Sequence, residues 1–347
     1  MKKFPNISHI NPNSLDGLNH LGKFLVDVQF LSGAIPSNQD GSHDPWDHLE
    51  ALMGLTTLGY KTQALKGLDW MVSNQNQDGS WYNLYQDEKP LELNKQTNYA
   101  AYISVVVWHF YLINNDVNFL QEFWEPVKNG ILFSLSLQHV NGAIAWNIDE
   151  FEKIDEDYLL TGCSSIAKSL ECAIAICQAL GNHNYESEWR IAHSKLISAL
   201  ENPSGIFDLK KDRSRFSMDW YYPILGGINS KKRINSLTTK IKDSFWIQDL
   251  GIKCVSDEPW VTVAETSECS IAYKKIGEDK IALELLHNAI AIVDGNGIPY
   301  MGWQFSENIY WPDETPAWTS AACILAADAN NRLTSGADLF LKQQFKS

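Results

Sequence analysis

A helical hairpin that recurs at a fixed interval constrains this chain more than any other feature of its sequence. Lys66-Gly67-Leu68-Asp69-Trp70 runs to Gln75 and then Asp78-Gly79-Ser80-Trp81; further on, Lys128-Asn129-Gly130-Ile131 runs to Gln138 and then Asn141-Gly142-Ala143, with Trp146 close behind. The two glutamines and the two glycines are each 63 residues apart, and agreement at two positions marks a structural repeat. A weaker copy reads 285–293 followed by Asp294-Gly295-Asn296-Gly297.

Helical periodicity dominates the rest. Leu49, Leu52, Met53 and Leu55 form an i, i+3, i+4 stripe that ends before Gly59, and the partner helix over 62–74 completes a hairpin. Further helices are expected over 98–113, 117–137, 164–180, 186–200, 220–228, 261–276, 279–292 and 316–329, with few strand signals. About 12 helices give roughly six hairpins of ~58 residues. Some segments, such as 100–107, are apolar on nearly every face, as for a helix covered by neighbours on both sides and by an outer layer. The expected fold is therefore all-α: an (α/α)6 barrel, or toroid. With no Pro/Gly/Ser linker dividing the chain, residues 1–347 read as one domain with a short N-terminal extension, 1–14.

In such a ring the longer connections gather on one face. Here they are 79–96, 142–161, 256–260 and 300–318, each with Trp or Tyr beside Asp or Glu, and that face is the expected ligand site. The formal net charge of -14 disfavours nucleic acid and anionic lipid, and no phosphate-binding glycine loop is present. A neutral or cationic small molecule or oligosaccharide is the expected partner, with no cofactor; oligomeric state is not legible. The first 15 residues lack an apolar signal core, and no stretch of about 18 unbroken apolar residues occurs. The six cysteines (Cys163, Cys172, Cys177, Cys254, Cys269, Cys323) form no CxxC pair, which fits buried reduced thiols in cytoplasm.

Four constellations could carry chemistry. In Asp44-Pro45-Trp46-Asp47-His48, Asp44 is explained as a helix cap with Pro45 in the first turn, which leaves Trp46, Asp47 and His48 as ligand contacts. Metal binding by His43 and His48 suits one helix face poorly, and no metal site is expected. The acidic run from Asp149 to Asp157 is mostly solvated surface; Asp149 stands out because it follows Trp146 directly, near the mouth. Trp260, Glu265 and Glu268 fall within about two turns of one helix start, and Glu265 sits in apolar surroundings, where a carboxylate needs a partner or a function. Glu314 lies between Trp311 and Trp318, two indoles able to stack on a sugar ring and to raise a carboxyl's pKa. Two carboxyls facing one cavity among tryptophans are what glycosidic cleavage needs: one protonates the leaving oxygen, the other activates water, and ~6.5–9.5 Å between them produces inversion. Asp149 and Glu314 are the carboxyls that their surroundings single out for such a pair.

Two families are resembled. Gly67…Trp70…Gln75…Gly79-Ser80-Trp81 resembles the Gln-Trp repeat of terpenoid cyclase and prenyltransferase toroids, but the Asp-x-Asp-Asp acid motif and recognisable zinc ligands are missing. From about Asp44 to Ala329 the order of segments is similar to the glucoamylase-type six-hairpin glycosidases. Asp44-Pro45-Trp46-Asp47 resembles that family's early substrate-binding helix without its arginine, and Trp108-His109 its next hairpin. Residues 142–149 match its general-acid loop, where Asp149 or Glu152 takes the acid's place. Asp219-Trp220 with Pro223 to Gly226, and Trp260…Ala264-Glu265, resemble two further substrate segments; Glu314 before Trp318-Thr319-Ser320 resembles the general base. The resemblance implies a glycoside hydrolase whose sugar subsite is shaped by Trp46, Asp47, His48, Tyr82, Trp108, Asp219, Trp260, Glu265, Trp311 and Trp318. A terpenoid cyclase-like toroid and a non-catalytic sugar-binding toroid are the alternatives; sugar epimerases share the toroid but use histidine pairs.

Overall fold

The computed structural model describes residues 10–346, so 1–9 of the expected N-terminal extension lie outside the described residues. Among the described residues there are thirteen α-helices: α1 (Leu15–Val28), α2 (Pro45–Thr57), α3 (Lys61–Ser73), α4 (Thr97–Asn114), α5 (Val117–Glu122), α6 (Trp124–Ser136), α7 (Leu160–Leu180), α8 (His183–Glu201), α9 (Met218–Gly226), α10 (Lys231–Ser244), α11 (Val263–Lys275), α12 (Asp279–Ala289) and α13 (Ala317–Asn331). Six of them close a cycle by direct packing, α2 on α4, α4 on α7, α7 on α9, α9 on α11, α11 on α13 and α13 back on α2. The outer layer sets α3 against α2, α6 against α4, α8 against α7, α10 against α9, α12 against α11 and α1 against α13. This is the (α/α)6 toroid.

The inner position of α4 explains its composition, since Ala100 to Phe110 are all buried. The same holds for α7, which is long and apolar enough to cross a membrane by composition; 94% of that stretch is buried inside the ring. Its Lys168 and Glu171, both buried, pair at 2.7 Å.

The Gln…Gly repeat is the joint between hairpins. Gln75 Nε2 donates to the Gly79 carbonyl and to the Pro126 carbonyl of the next outer helix, both at 3.0 Å; Gln138 Nε2 does the same with Gly142 and Ala192, again at 3.0 Å. One amide thereby closes its own turn and ties it to the neighbouring hairpin. Both glycines sit at φ +92, and a Cβ on either would stand 2.3 Å from a carbonyl of the adjoining helix. A further copy, not marked by the spacing, occurs at Gln29, which donates to Gly33 and Gln63 at 2.8 and 3.0 Å. At the weak copy, His20 Nε2 meets the Gly297 carbonyl at 3.2 Å.

The structure corrects several expected bounds. The single helix expected over 117–137 is two, broken at Phe123. The last helix begins at Ala317, with Pro316 at its N-cap and no side-chain bond there. Strands of two to four residues, too short for a period of two to register, stitch the mouth loops together. Lys95–Gln96 pairs with Asn147–Ile148, and Trp260–Thr262 with Gly302–Gln304. All six cysteines are free, and five are buried.

Candidate functional site

All six inner helices run the same way, so their first turns converge at one end of the ring. A cavity of about 340 Å³ opens there, lined by Asp44, Trp46 and Asp47 of the α2 start, Tyr99 of α4, Ser165 of α7, Met218 of α9, Glu265 and Glu268 of α11, and Trp318 of α13. Each of these helices presents the positive end of its dipole and its free backbone N–H groups. That convergence stabilises a concentration of carboxylates which would otherwise repel one another.

Asp44 begins the set. Its Oδ1 caps α2 by accepting from Asp47 N at 2.8 Å, as its place before Pro45 predicts, while Oδ2 accepts from Tyr99 Oη at 3.0 Å. Asp47 stands half-buried beside it; loss of hydration, then the Asp44 and Glu268 charges, hold its carboxyl well above the usual range, against the Ser37 hydroxyl. Across the cavity Glu268 accepts from Tyr221 Oη and Tyr222 Oη, each at 2.5 Å, and loss of hydration pushes its pKa up to about 7 despite those bonds. Below it Glu50, buried and raised first by burial and then by Glu268, receives the Tyr102 hydroxyl at 3.4 Å. Glu265 lies in the first turn of α11, 8% exposed, with Oε2 lacking any hydrogen-bond partner among the described residues. The cavity therefore offers carboxyls of raised proton affinity on one wall and a carboxyl oxygen without a hydrogen-bond partner on another.

The remaining wall is aromatic. The Trp46 ring stacks on Tyr102 with centroids 3.9 Å apart. Trp146 is held at the rim by its Nε1 donating to Gln96 Oε1 at 3.1 Å. Together with Tyr99 and Trp318 these rings give apolar faces over which a pyranose could stack.

Of the residues expected from sequence, Trp46, Asp47, Glu265 and Trp318 line this cavity; the others do not. Asp149 sits in a tight turn between Asn147–Ile148 and Ile154–Asp155, and its Oδ1 accepts from Phe151 N and Lys153 N at 2.9 Å each. That oxygen is occupied in closing its own turn, and the residue is outside the cavity lining. Glu152, the alternative acid, is salt-bridged to Lys95 at 2.7 Å. Glu314 is exposed on its loop and anchors it through its carbonyl, which accepts from Met301 N at 2.9 Å.

His48 is structural: Nδ1 accepts from Ile35 N and Nε2 meets the Gly67 carbonyl, both at 3.0 Å, and burial lowers its pKa to about 3. Trp108 lies toward the far end of α4, its Nε1 donating to Gln344 of the C-terminal segment at 2.9 Å. Trp260 and the half-exposed Trp311 meet edge to face on the loop sheet, 5.0 Å between centroids. Tyr82 donates its backbone N–H to Tyr85 Oη in the same belt of loops. Asp219 accepts from the Thr161 hydroxyl and faces a neighbouring cavity. No group of three or more His, Cys, Asp or Glu suited to a metal ion occurs among the described residues.

Asp44, which its capping role explains in sequence, and Glu268, which shares a helix start with Glu265, also line the cavity. Asp44 stands at the N-cap of an inner helix and Glu268 in the second turn of another, and closeness to an inner-helix start is the signal that marks both.

No family model matches the chain. In fold it is similar to a mannosylglycerate hydrolase from Thermus thermophilus solved with glucose, with TM-score 0.69, 10% identity, and 89% of this chain and 99% of that one covered. It is likewise similar to a bacterial glucoamylase solved with acarbose, with TM-score 0.73, 12% identity, and 95% of this chain and 58% of that one covered. At these identities the likeness is one of architecture. In sequence it is 37% identical over 317 residues, 91% of this chain and 86% of the relative, to the MMP endo-(1,4)-3-O-methyl-alpha-D-mannosidase of Mycolicibacterium hassiacum. With a relative that close spanning nearly its whole length, and the helical ring of the six-hairpin glycosidases beneath it, the chain belongs to the glycoside hydrolase family of that endo-mannosidase.

Proposed function

We propose that the chain cleaves an α-(1,4)-mannosidic bond, in an oligosaccharide of the kind its Mycolicibacterium relative is named for, by general acid/base catalysis with inversion. The observation that carries this reading is the pairing of Asp47 on α2 with Glu265 on α11, facing one aromatic cavity.

Asp47 is the acid. Loss of hydration and the Asp44 and Glu268 charges raise its affinity for a proton, which it hands to the glycosidic oxygen as the C–O bond breaks. Glu265 is the base: its unpartnered Oε2 accepts a proton from water while the water oxygen bonds to the anomeric carbon. The leaving sugar departs with the Asp47 proton, Glu265 gains one, and exchange with solvent resets both. Inversion is favoured because α2 and α11 are not neighbours in the ring but are separated by α13. With packed helix axes ~8–10 Å apart, that separation leaves room for a water molecule. Trp46, Trp146 and Trp318 supply the stacking surface and exclude bulk water.

The test is turnover of an α-(1,4)-linked mannooligosaccharide followed by proton NMR of the newborn anomeric centre. Inversion yields the β-anomer first. Asp47→Asn and Glu265→Gln should each lower kcat by ~10²–10⁴-fold, the range for loss of a positioned acid or base, whereas Asp149→Asn and Glu314→Gln should stay within a few-fold of the parent. Initial appearance of the α-anomer, or full activity in Glu265→Gln, sinks the assignment.

A further inference from the structure

Beside the acid-lined cavity lies a second one of about 630 Å³, and Arg213 lines both. The two are joined again where Asp219, on the second, accepts from the hydroxyl of Thr161, on the first. The second cavity's polar groups are unusual in being left over. Asp208 Oδ1, Asp219 Oδ2, Arg213 Nε and Arg233 Nε are all buried atoms without a hydrogen-bond partner among the described residues, and Asp219 is only 3% exposed. Neither arginine forms an ion pair among the described residues. Buried donors and acceptors left unmatched are costly and uncommon in folded proteins, which points to a partner from outside the chain.

The mixture of groups narrows that partner. An anion would meet Asp208, Asp212 and Asp219, and a cation would meet Arg213 and Arg233. A neutral polyol suits both, since every hydroxyl donates to a carboxylate and accepts from a guanidinium. Burial raises Asp208 to about 7 and Asp219 to about 6, so near neutrality Asp208 shares its proton with solvent while Asp219 keeps most of its charge as a hydroxyl acceptor. Trp220 and Phe207 add aromatic surface on the same wall, and the indole of Trp220 is fixed by its Nε1 donating to Ser214 O at 3.0 Å.

We propose that this second cavity is a distal sugar subsite, holding a pyranose unit of an oligosaccharide whose scissile bond lies in the first cavity, with Arg213 between them. The inference rests on the glycosidase reading above and deepens it, because a chain gripped in two places is recognised as an oligosaccharide rather than as a terminal residue. Asp219, expected from sequence to bind substrate, would then do so away from the reacting centre.

The test compares α-(1,4)-linked mannotetraose with a short aryl α-mannoside that fills the first cavity alone, using Trp220→Ala and, as a substitution on the outer helix α10, Arg233→Ala. The subsite predicts that KM for the tetraose rises at least fivefold in each variant while KM for the aryl mannoside moves less than twofold. Equal changes on both substrates, or none on either, overturn it. Calorimetric titration of the tetraose into Glu265→Gln, with and without Trp220→Ala, separates this from failure of the parent reading. If no mannoside is turned over, the hydrolase assignment falls, yet tetraose binding that is weakened at least fivefold by Trp220→Ala still supports the subsite, and undiminished binding removes it.

Discussion

Replacing Glu268 by glutamine should stabilise the protein more the higher the pH, and should also move the alkaline limb of its activity. The wild-type carboxyl is withdrawn from bulk water and raised to about 7 from an ordinary value of 4.5. A carboxyl whose folded pKa is raised gives its full stability below the unfolded value, and that stability is lost as pH climbs through the folded one. The window is therefore about pH 4.5 to 7. A shift of about 2.5 units at ~1.4 kcal/mol per unit amounts to ~3 kcal/mol. For a chain of this size ~2 °C per kcal/mol makes that ~6 °C in Tm. Glutamine has no charge to desolvate, and its amide can still meet the Tyr221 and Tyr222 hydroxyls. Melting the two proteins by circular dichroism at pH 4.5 and pH 7.5 should show the variant's advantage growing by about that much. Because the Glu268 charge is also one of the causes that raise Asp47, kcat/KM of the variant should begin to fall at a lower alkaline pH. A Tm difference that stays flat across the window, or a variant less stable at pH 7.5 than at pH 4.5 relative to wild type, would show that Glu268 does not carry the desolvation cost assigned to it.

Other expectations follow from the same geometry. His109 is buried without a hydrogen-bond partner among the described residues and held near pKa 3, so the fold loses stability as pH falls from about 6.5 toward 3. His109→Leu should remove ~2–3 kcal/mol of that acid lability by pH 4.5, read from urea melts. Gly142→Ala places a methyl 2.3 Å from the Lys195 carbonyl at φ +92; the left-handed backbone alone costs ~1–2 kcal/mol, and with the contact a loss of at least ~3 kcal/mol is expected in a thermal melt. Gln138→Ala removes two bonds at about 1 kcal/mol each and should lower the denaturation midpoint without changing its slope.

The architecture was legible because it is written in period and repetition. The inner helices announce themselves as segments without a polar face, and the Gln…Gly spacing recurs because one amide must bridge its own turn and the next hairpin. Gln29 escaped because its copy lacks the 63-residue interval, not because its geometry differs. The site was legible only as a type, carboxyls among tryptophans on the long-loop face. Asp149 follows a tryptophan in sequence, yet Trp146 turns its ring to the cavity while three residues later the chain reverses and the aspartate caps the turn. Position along a loop does not report direction when strands of two residues fix the loop. Position in a helix does, and Trp46, Asp47, Glu265 and Trp318 all stand in first turns, where the barrel leaves side chains no other place to point.

That regularity also explains why the acids are where they are. Desolvated, mutually repelling carboxyls are costly, and among the described residues Asp44, Asp47, Glu50 and Glu268 face no lysine, with Arg213 the one basic side chain on the cavity lining. The six helix N-termini supply positive potential and hydrogen-bond donors without a further cation beside these carboxyls to oppose the positive charge developing on a sugar during glycosidic cleavage. Neutralisation by backbone dipoles leaves the proton on Asp47 and the lone pair on Glu265 available, whereas neutralisation by a salt bridge, as Lys95 does for Glu152, would have spent the carboxylate. A lysine introduced at Ser165, on the lining from α7, should therefore lower the pKa of Asp47 and Glu268 and so remove the acid's proton at neutral pH. Ser165→Lys should bring the alkaline limb of kcat/KM down by a pH unit or more, and an unchanged limb in a variant of wild-type Tm would mean that the scarcity of cations on this wall has no bearing on the acid's state.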